Sequence, residues 1–238
     1  MKRGEEKEDC RKIFFEKFSE SFLDQLENGA GLLEVFGKRP QERWLYGFIG
    51  QALGEVLQEG LQKGDKRPWV LTEVPVDRVG EKGRIDFIFQ FKGHLFMMEV
   101  KAGVCSLHDD KVEIPKRLIE TWGVARKQLQ DIKLDERQNK KLLSMAERRR
   151  CIRFALLLVT CGNTGKQDDL EKDKDEIKKK INELEINFKK QLKAELAASR
   201  SQDRKPFIHV SEKEYADESK KMRREFGWIL LAGKVPYK

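Results

Sequence analysis

The chain has 238 residues, 38 % charged and 39 % hydrophobic, and its Lys+Arg 49 against Asp+Glu 41 leaves a net charge of +8. That length and apolar content suit one core with an appendage, and the basic balance suits a polyanionic partner such as nucleic acid. The longest apolar run, Phe154–Val159, is far short of the roughly 20 residues a membrane helix needs. The charged start MKRGEEKEDC has no hydrophobic segment of the kind a secretory signal requires. Cys10, Cys105, Cys151 and Cys161 lack CxxC spacing, so they read as reduced thiols in a cytoplasmic protein.

In chain order, Ile13, Phe14, Phe18, Phe22, Leu23 and Leu26 recur at three- and four-residue steps, which predicts a helix within 9–36 that ends near Asn28-Gly29. A second helix is expected from 41 to 58, opened by Pro40 and striped by Leu45, Ile49, Ala52, Leu53 and Val56. Residues 69–79, 84–91 and 94–104 are β-rich runs separated by Gly80-Glu-Lys-Gly83 and Lys92-Gly93, a three-strand antiparallel meander. A helix over 115–134 follows, with Leu118, Trp122, Ala125, Leu129 and Ile132 inward, then a short helix over 136–149. The apolar run 151–160 suits a strand buried on both faces. Residues 168–198 form a long charged helix with one apolar stripe, 199–205 a linker, and 227–235 a last strand. The expected class is α/β with a mixed central sheet flanked by helices. Residues 1–238 form one domain in this reading, its core at about 41–160, with 206–238 returning to the sheet.

The informative stretch runs from Arg84 to Lys101. With Lys92-Gly93 as a two-residue hairpin tip, Phe91 faces His94, and counting back sets Asp86 opposite Glu99. Opposed residues share a face with Cβ atoms roughly 5 Å apart, and Lys101 lies on that face two residues on. The other face carries Ile85, Phe87, Phe89, Phe96, Met98 and Val100 as core. Two opposed carboxylates repel, and beyond what Lys101 offsets, they suit a hard divalent ion such as Mg²⁺, which takes oxygen ligands and keeps waters. Such an ion generates hydroxide and polarises a phosphoryl oxygen. Other Glu-x-Lys triplets begin at Glu5, Glu176 and Glu218, in charged helical or terminal stretches. Only Glu99 sits on an apolar strand with an acid opposite. The bland alternative is a surface hairpin with a weak ion pair.

These residues resemble the PD-(D/E)XK nuclease superfamily, whose signature is an acid on one strand and acid-x-Lys on the next, within an α-β-β-β-α-β core. Asp86 and Glu99-Val100-Lys101 match it over about 41–160. Ile85 stands where the family usually has proline. The resemblance implies a restriction-endonuclease-like fold and Mg²⁺-dependent phosphodiester hydrolysis, with Mn²⁺ as a possible substitute. It implies Asp86 and Glu99 as metal ligands, the Val100 carbonyl joining them, and Lys101 aiding the nucleophile. Glu42 is the candidate acid from the first core helix, with Glu55 as fallback, and Gln128 the candidate glutamine from the helix after the lysine. DNA is the expected substrate, in restriction, phage defence or repair; RNA shares the chemistry.

Glu73 and Asp77 lie on the neighbouring strand. A turn centred on Glu81-Lys82 sets Asp77 opposite Asp86, within reach of the site. Lys140, Lys141, Arg148, Arg149, Arg150 and Arg153 could follow a phosphate backbone. His94, His108 and His209 form no zinc-spaced pair, and Gly162–Lys166 lacks phosphate-loop spacing. The rival reading is a non-catalytic nucleic-acid-binding or scaffold protein that keeps the nuclease fold and associates through helix 168–198. If that helix forms a homodimer, two sites could cut both strands of a duplex.

Overall fold

The computed structural model describes residues 10–28, 42–61, 67–78, 81–106, 115–130, 132–134, 151–164, 174–198, 207–217 and 222–235. Helices α1 (Cys10–Asn28) and α2 (Glu42–Glu59) come first. Strands β1 (Val70–Arg78), β2 (Glu81–Phe91) and β3 (His94–Ser106) form the antiparallel meander. Helix α3 (Lys116–Gln130) and the short β4 (Lys133–Leu134) lead to β5 (Cys151–Thr164), which runs parallel to β3. Helix α4 (Lys174–Ala198) precedes β6 (Phe207–Asp217) and β7 (Met222–Val235). The sheet order is β4-β1-β2-β3-β5-β7-β6. The chain is therefore mixed α/β, with a mixed sheet flanked by helices. Residues 29–36, the expected helix 136–149 and the expected linker 199–205 lie outside the described residues, as do Lys140, Lys141, Arg148, Arg149, Arg150 and His108.

Each face of the sheet has its own core. On one, α1 and α2 cover Phe87, Phe89, Phe91, Phe96, Met98, Val100, Phe154, Leu156 and Leu158. The Phe14 ring of α1 sits at the centre of that layer, 4.8 Å from the Phe96 ring and 5.1 Å from that of Phe89. On the other, α3 and α4 cover Ile88, Leu95, Met97, Ala155, Leu157 and Val159 through Trp122, Ala125, Leu129, Leu184, Phe188 and Leu192. Residues 152–159 of β5 are buried without a break, because a central strand with helices on both faces has no wet side.

Helix α3 is seated on the sheet at three levels. Leu118 lies over Gly103, where an added Cβ would stand 1.8 Å from Leu118 Cδ2 and 2.9 Å from its Cγ. Trp122 Nε1 donates to the Ala155 carbonyl at 3.3 Å. At the far end Arg153 donates to the Leu129 carbonyl at 2.6 Å and the Ile132 carbonyl at 3.3 Å. Carbonyls at the end of a helix have no partner within it, and a cation there also complements the dipole. Arg153 is thus a buried cap, not a phosphate contact, which corrects the expectation from the basic run. Burial pushes the neighbouring Cys151 thiol above its ordinary range, and the same guanidinium offsets this only in part. Gly103→Ala should cost roughly 1–3 kcal/mol through overpacking against Leu118, measured by urea unfolding.

Candidate functional site

The site grows from a tight turn. Lys92 and Gly93 both have positive φ, 43° and 76°, the type I′ geometry that matches strand twist in a two-residue hairpin. From it β2 and β3 pair as Phe91↔His94, Phe89↔Phe96 and Phe87↔Met98. There the ladder stops. In this hairpin those alternate pairs exchange backbone hydrogen bonds, so the next exchange would join Ile85 to Val100. Instead the Val100 N–H donates to Asp86 Oδ2 at 2.6 Å. A carboxylate has taken the place of a backbone carbonyl.

Past that point the sheet forks. One arm keeps β2 on β1 from Val74↔Ile85 to Arg78↔Glu81. The other keeps β3 on β5 as far as Ser106↔Gly162. The β1–β2 ladder also skips one row, that of Glu73 and Asp86, and Glu73 has a φ of 52°, uncommon for a residue with a side chain. Facing inverts across this row. Phe87 and Phe89 pack toward α1 and α2, whereas Ile85, Val74 and Val76 pack on the α3 side. Ile85 therefore belongs to the opposite core from the one the alternation predicts. At the inversion the Asp86 side chain reaches across to β3, into the fork.

Glu99 and Lys101 stand on the other arm. Lys101 Nζ lies 3.2 Å from Glu99 Oε1. Asp86 is 8 % exposed and Glu99 3 %, so neither carboxylate is a solvated surface charge. Glu99 owes part of this to its row neighbour on β5, Ala155, which is small and lies under Trp122. Burying two carboxylates beside one ammonium is unfavourable unless further positive charge arrives. A backbone N–H fixes one acid and the lysine fixes the other. This donor set fits a hard divalent cation, which takes oxygen ligands. Among the described residues no group of three or more His, Cys, Asp or Glu is placed to hold a metal.

The other expected site residues are dispersed. Glu42 begins α2, on the face opposite Glu99; its side chain lies outside the described residues. Glu55, the fallback, is exposed and accepts from Ser21 Oγ and Gln25 Nε2 on the seam between α1 and α2, which corrects that expectation. Asp77 pairs with Lys82, not Asp86. Arg78 stands opposite Glu81, so the register differs from one centred on Glu81-Lys82 and brings Glu73 to the Asp86 row. Glu73 itself is paired with Arg84, Nη1 to Oε2 at 3.6 Å. Gln128 is half-buried near the end of α3 that Arg153 caps. Lys101 lies toward the opposite end, between the levels of Trp122 and Leu118, so the helix carries Gln128 away from it.

Arg126 is a buried cation that no motif in the sequence marks. It is 3 % exposed, with its guanidinium 4.7 Å from the centre of the Trp122 ring. One helical turn separates it from Trp122, and that spacing was its only signal. Among the described residues no helix is long and apolar enough to cross a membrane. The chain matches no family model, no curated protein and no solved structure.

Proposed function

We propose that the chain is a Mg²⁺-dependent nuclease of the PD-(D/E)XK type that hydrolyses DNA, with Mn²⁺ as a substitute cation. One observation carries this reading: buried Asp86 accepts from the backbone N–H of Val100, between buried Glu99 and the Lys101 that holds it, where the sheet gives up its own hydrogen bond. The succession of α2, the antiparallel meander, α3 and a fourth strand parallel to the third supports a restriction-endonuclease-like core.

In this reading Asp86 and Glu99 would hold the ion, with the Val100 carbonyl as a further donor. When bound, the ion lowers the pKa of water and offsets charge on a phosphoryl oxygen. Lys101, tethered to Glu99, orients the attacking water and offsets negative charge at the phosphate. The water oxygen gives up a proton and bonds to phosphorus as the bond to the leaving sugar oxygen breaks, and that oxygen takes up a proton.

Cation binding tests the reading without reference to turnover. At ten times Kd, Mg²⁺ stabilises the fold by about 1.4 kcal/mol, roughly 3–6 °C in Tm for a chain of this size. The shift should vanish in Glu99→Gln. An equal shift in both proteins, or none in the parent, contradicts the assignment.

A further inference from the structure

Two of the four cysteines, distant in sequence, are brought side by side by the β3–β5 ladder. Cys105 is the register partner of Cys161, one row before that ladder ends at Ser106↔Gly162. Register partners on neighbouring strands share a face, and adjacent strands lie about 4.8 Å apart. A disulfide needs Cα atoms about 4.4–6.8 Å apart, so the backbone spacing already suits one.

The surroundings favour closure. On its other side Cys161 pairs with Gly227 of β7, which has no side chain to crowd the row. Gly162 follows Cys161 directly, and β2 has left β3 seven residues earlier, after Met98. The row therefore lies one residue from the end of β3, while β5 stays paired with β7 for three rows beyond it, so closure asks only the end of β3 to approach.

We propose that Cys105 and Cys161 form a reversible intramolecular disulfide that staples β3 to β5 when the protein meets a peroxide. One thiolate attacks a peroxide oxygen, the O–O bond breaks, hydroxide leaves, and that sulfur becomes a sulfenic acid. The second thiolate attacks this sulfur, the S–S bond forms and the S–O bond breaks. The two sulfurs together lose two electrons, the peroxide gains two, and the thiol protons complete two waters. A small dithiol reverses the reaction by exchange. The staple closes on the arm that carries Glu99 and Lys101, six and four residues before Cys105, but its formation does not depend on the nuclease reading.

The full chain is treated with hydrogen peroxide, its remaining thiols are alkylated, and tryptic peptides are identified by mass without reduction. Peptide 102–111 should be joined to peptide 154–166, lighter than the sum by two hydrogens, and dithiothreitol should release both. Oxidation in guanidinium chloride should instead scatter the pairings among all four cysteines. Cys105→Ser and Cys161→Ser should each abolish the joined species. The proposal is overturned if both peptides are recovered alkylated from the oxidised native protein, or if either cysteine links to Cys10 or Cys151 instead.

Discussion

Lys101→Ala should lower the rate of phosphodiester cleavage by about 10²–10⁴, the range for losing a positioned group that assists proton transfer or charge development. The fold should tolerate the change. Lys101 is not part of the apolar core, and its contact is a Glu99 carboxylate oxygen at 3.2 Å on the adjoining row of the same strand face. Its loss leaves buried Glu99 without its ammonium, so Mg²⁺ should bind at least as tightly as before. Cleavage kinetics and calorimetric titration with Mg²⁺ separate the two effects. Full activity in this variant would remove Lys101 from the mechanism.

Asp86 should show two separable losses. It fills a gap in the β2–β3 ladder by accepting from the buried Val100 N–H, and it supplies charge to the site. Asp86→Asn keeps an acceptor oxygen and removes the charge. It should unfold within about 1 kcal/mol of the parent yet lose cleavage and Mg²⁺ binding. Asp86→Ala removes both and leaves a buried donor unsatisfied, at a further cost of about 1–3 kcal/mol. Urea midpoints and cleavage rates measured on both variants check the split. Equal destabilisation by the two would mean that the Val100 bond contributes little.

The hairpin was legible because its cues are local. Lys92-Gly93 suits a turn with two positive φ values, and the alternation on either side admits one register. The buried strand within 151–160 was legible because an apolar run of that length has few other homes. What escaped were features with no local mark. The facing inversion at Glu73 and Asp86 occurs without glycine or proline at either position, so regular alternation put Ile85 in the wrong core. Two glycines, Gly80 and Gly83, drew the turn of the first hairpin too far along, and Asp77 took the place that belongs to Glu73. Arg153 looked like the end of a basic run because the helix terminus it caps arrives from another part of the chain. Strand β6, FIHVSEKEYAD, is polar enough to read as a loop and is a strand by virtue of its long pairing with β7.

Metal-dependent hydrolysis at the fork is tested by cleavage of closed-circular, linear and single-stranded DNA. Each is incubated with Mg²⁺, Mn²⁺ or EDTA, beside a Glu99→Ala variant checked for folding. A nuclease built on Asp86, Glu99 and Lys101 should cut with either cation, not with EDTA, and not as the variant; the form cut first then gives the mode. No cutting of any form by the folded parent protein, or cutting that persists in Glu99→Ala, would contradict it.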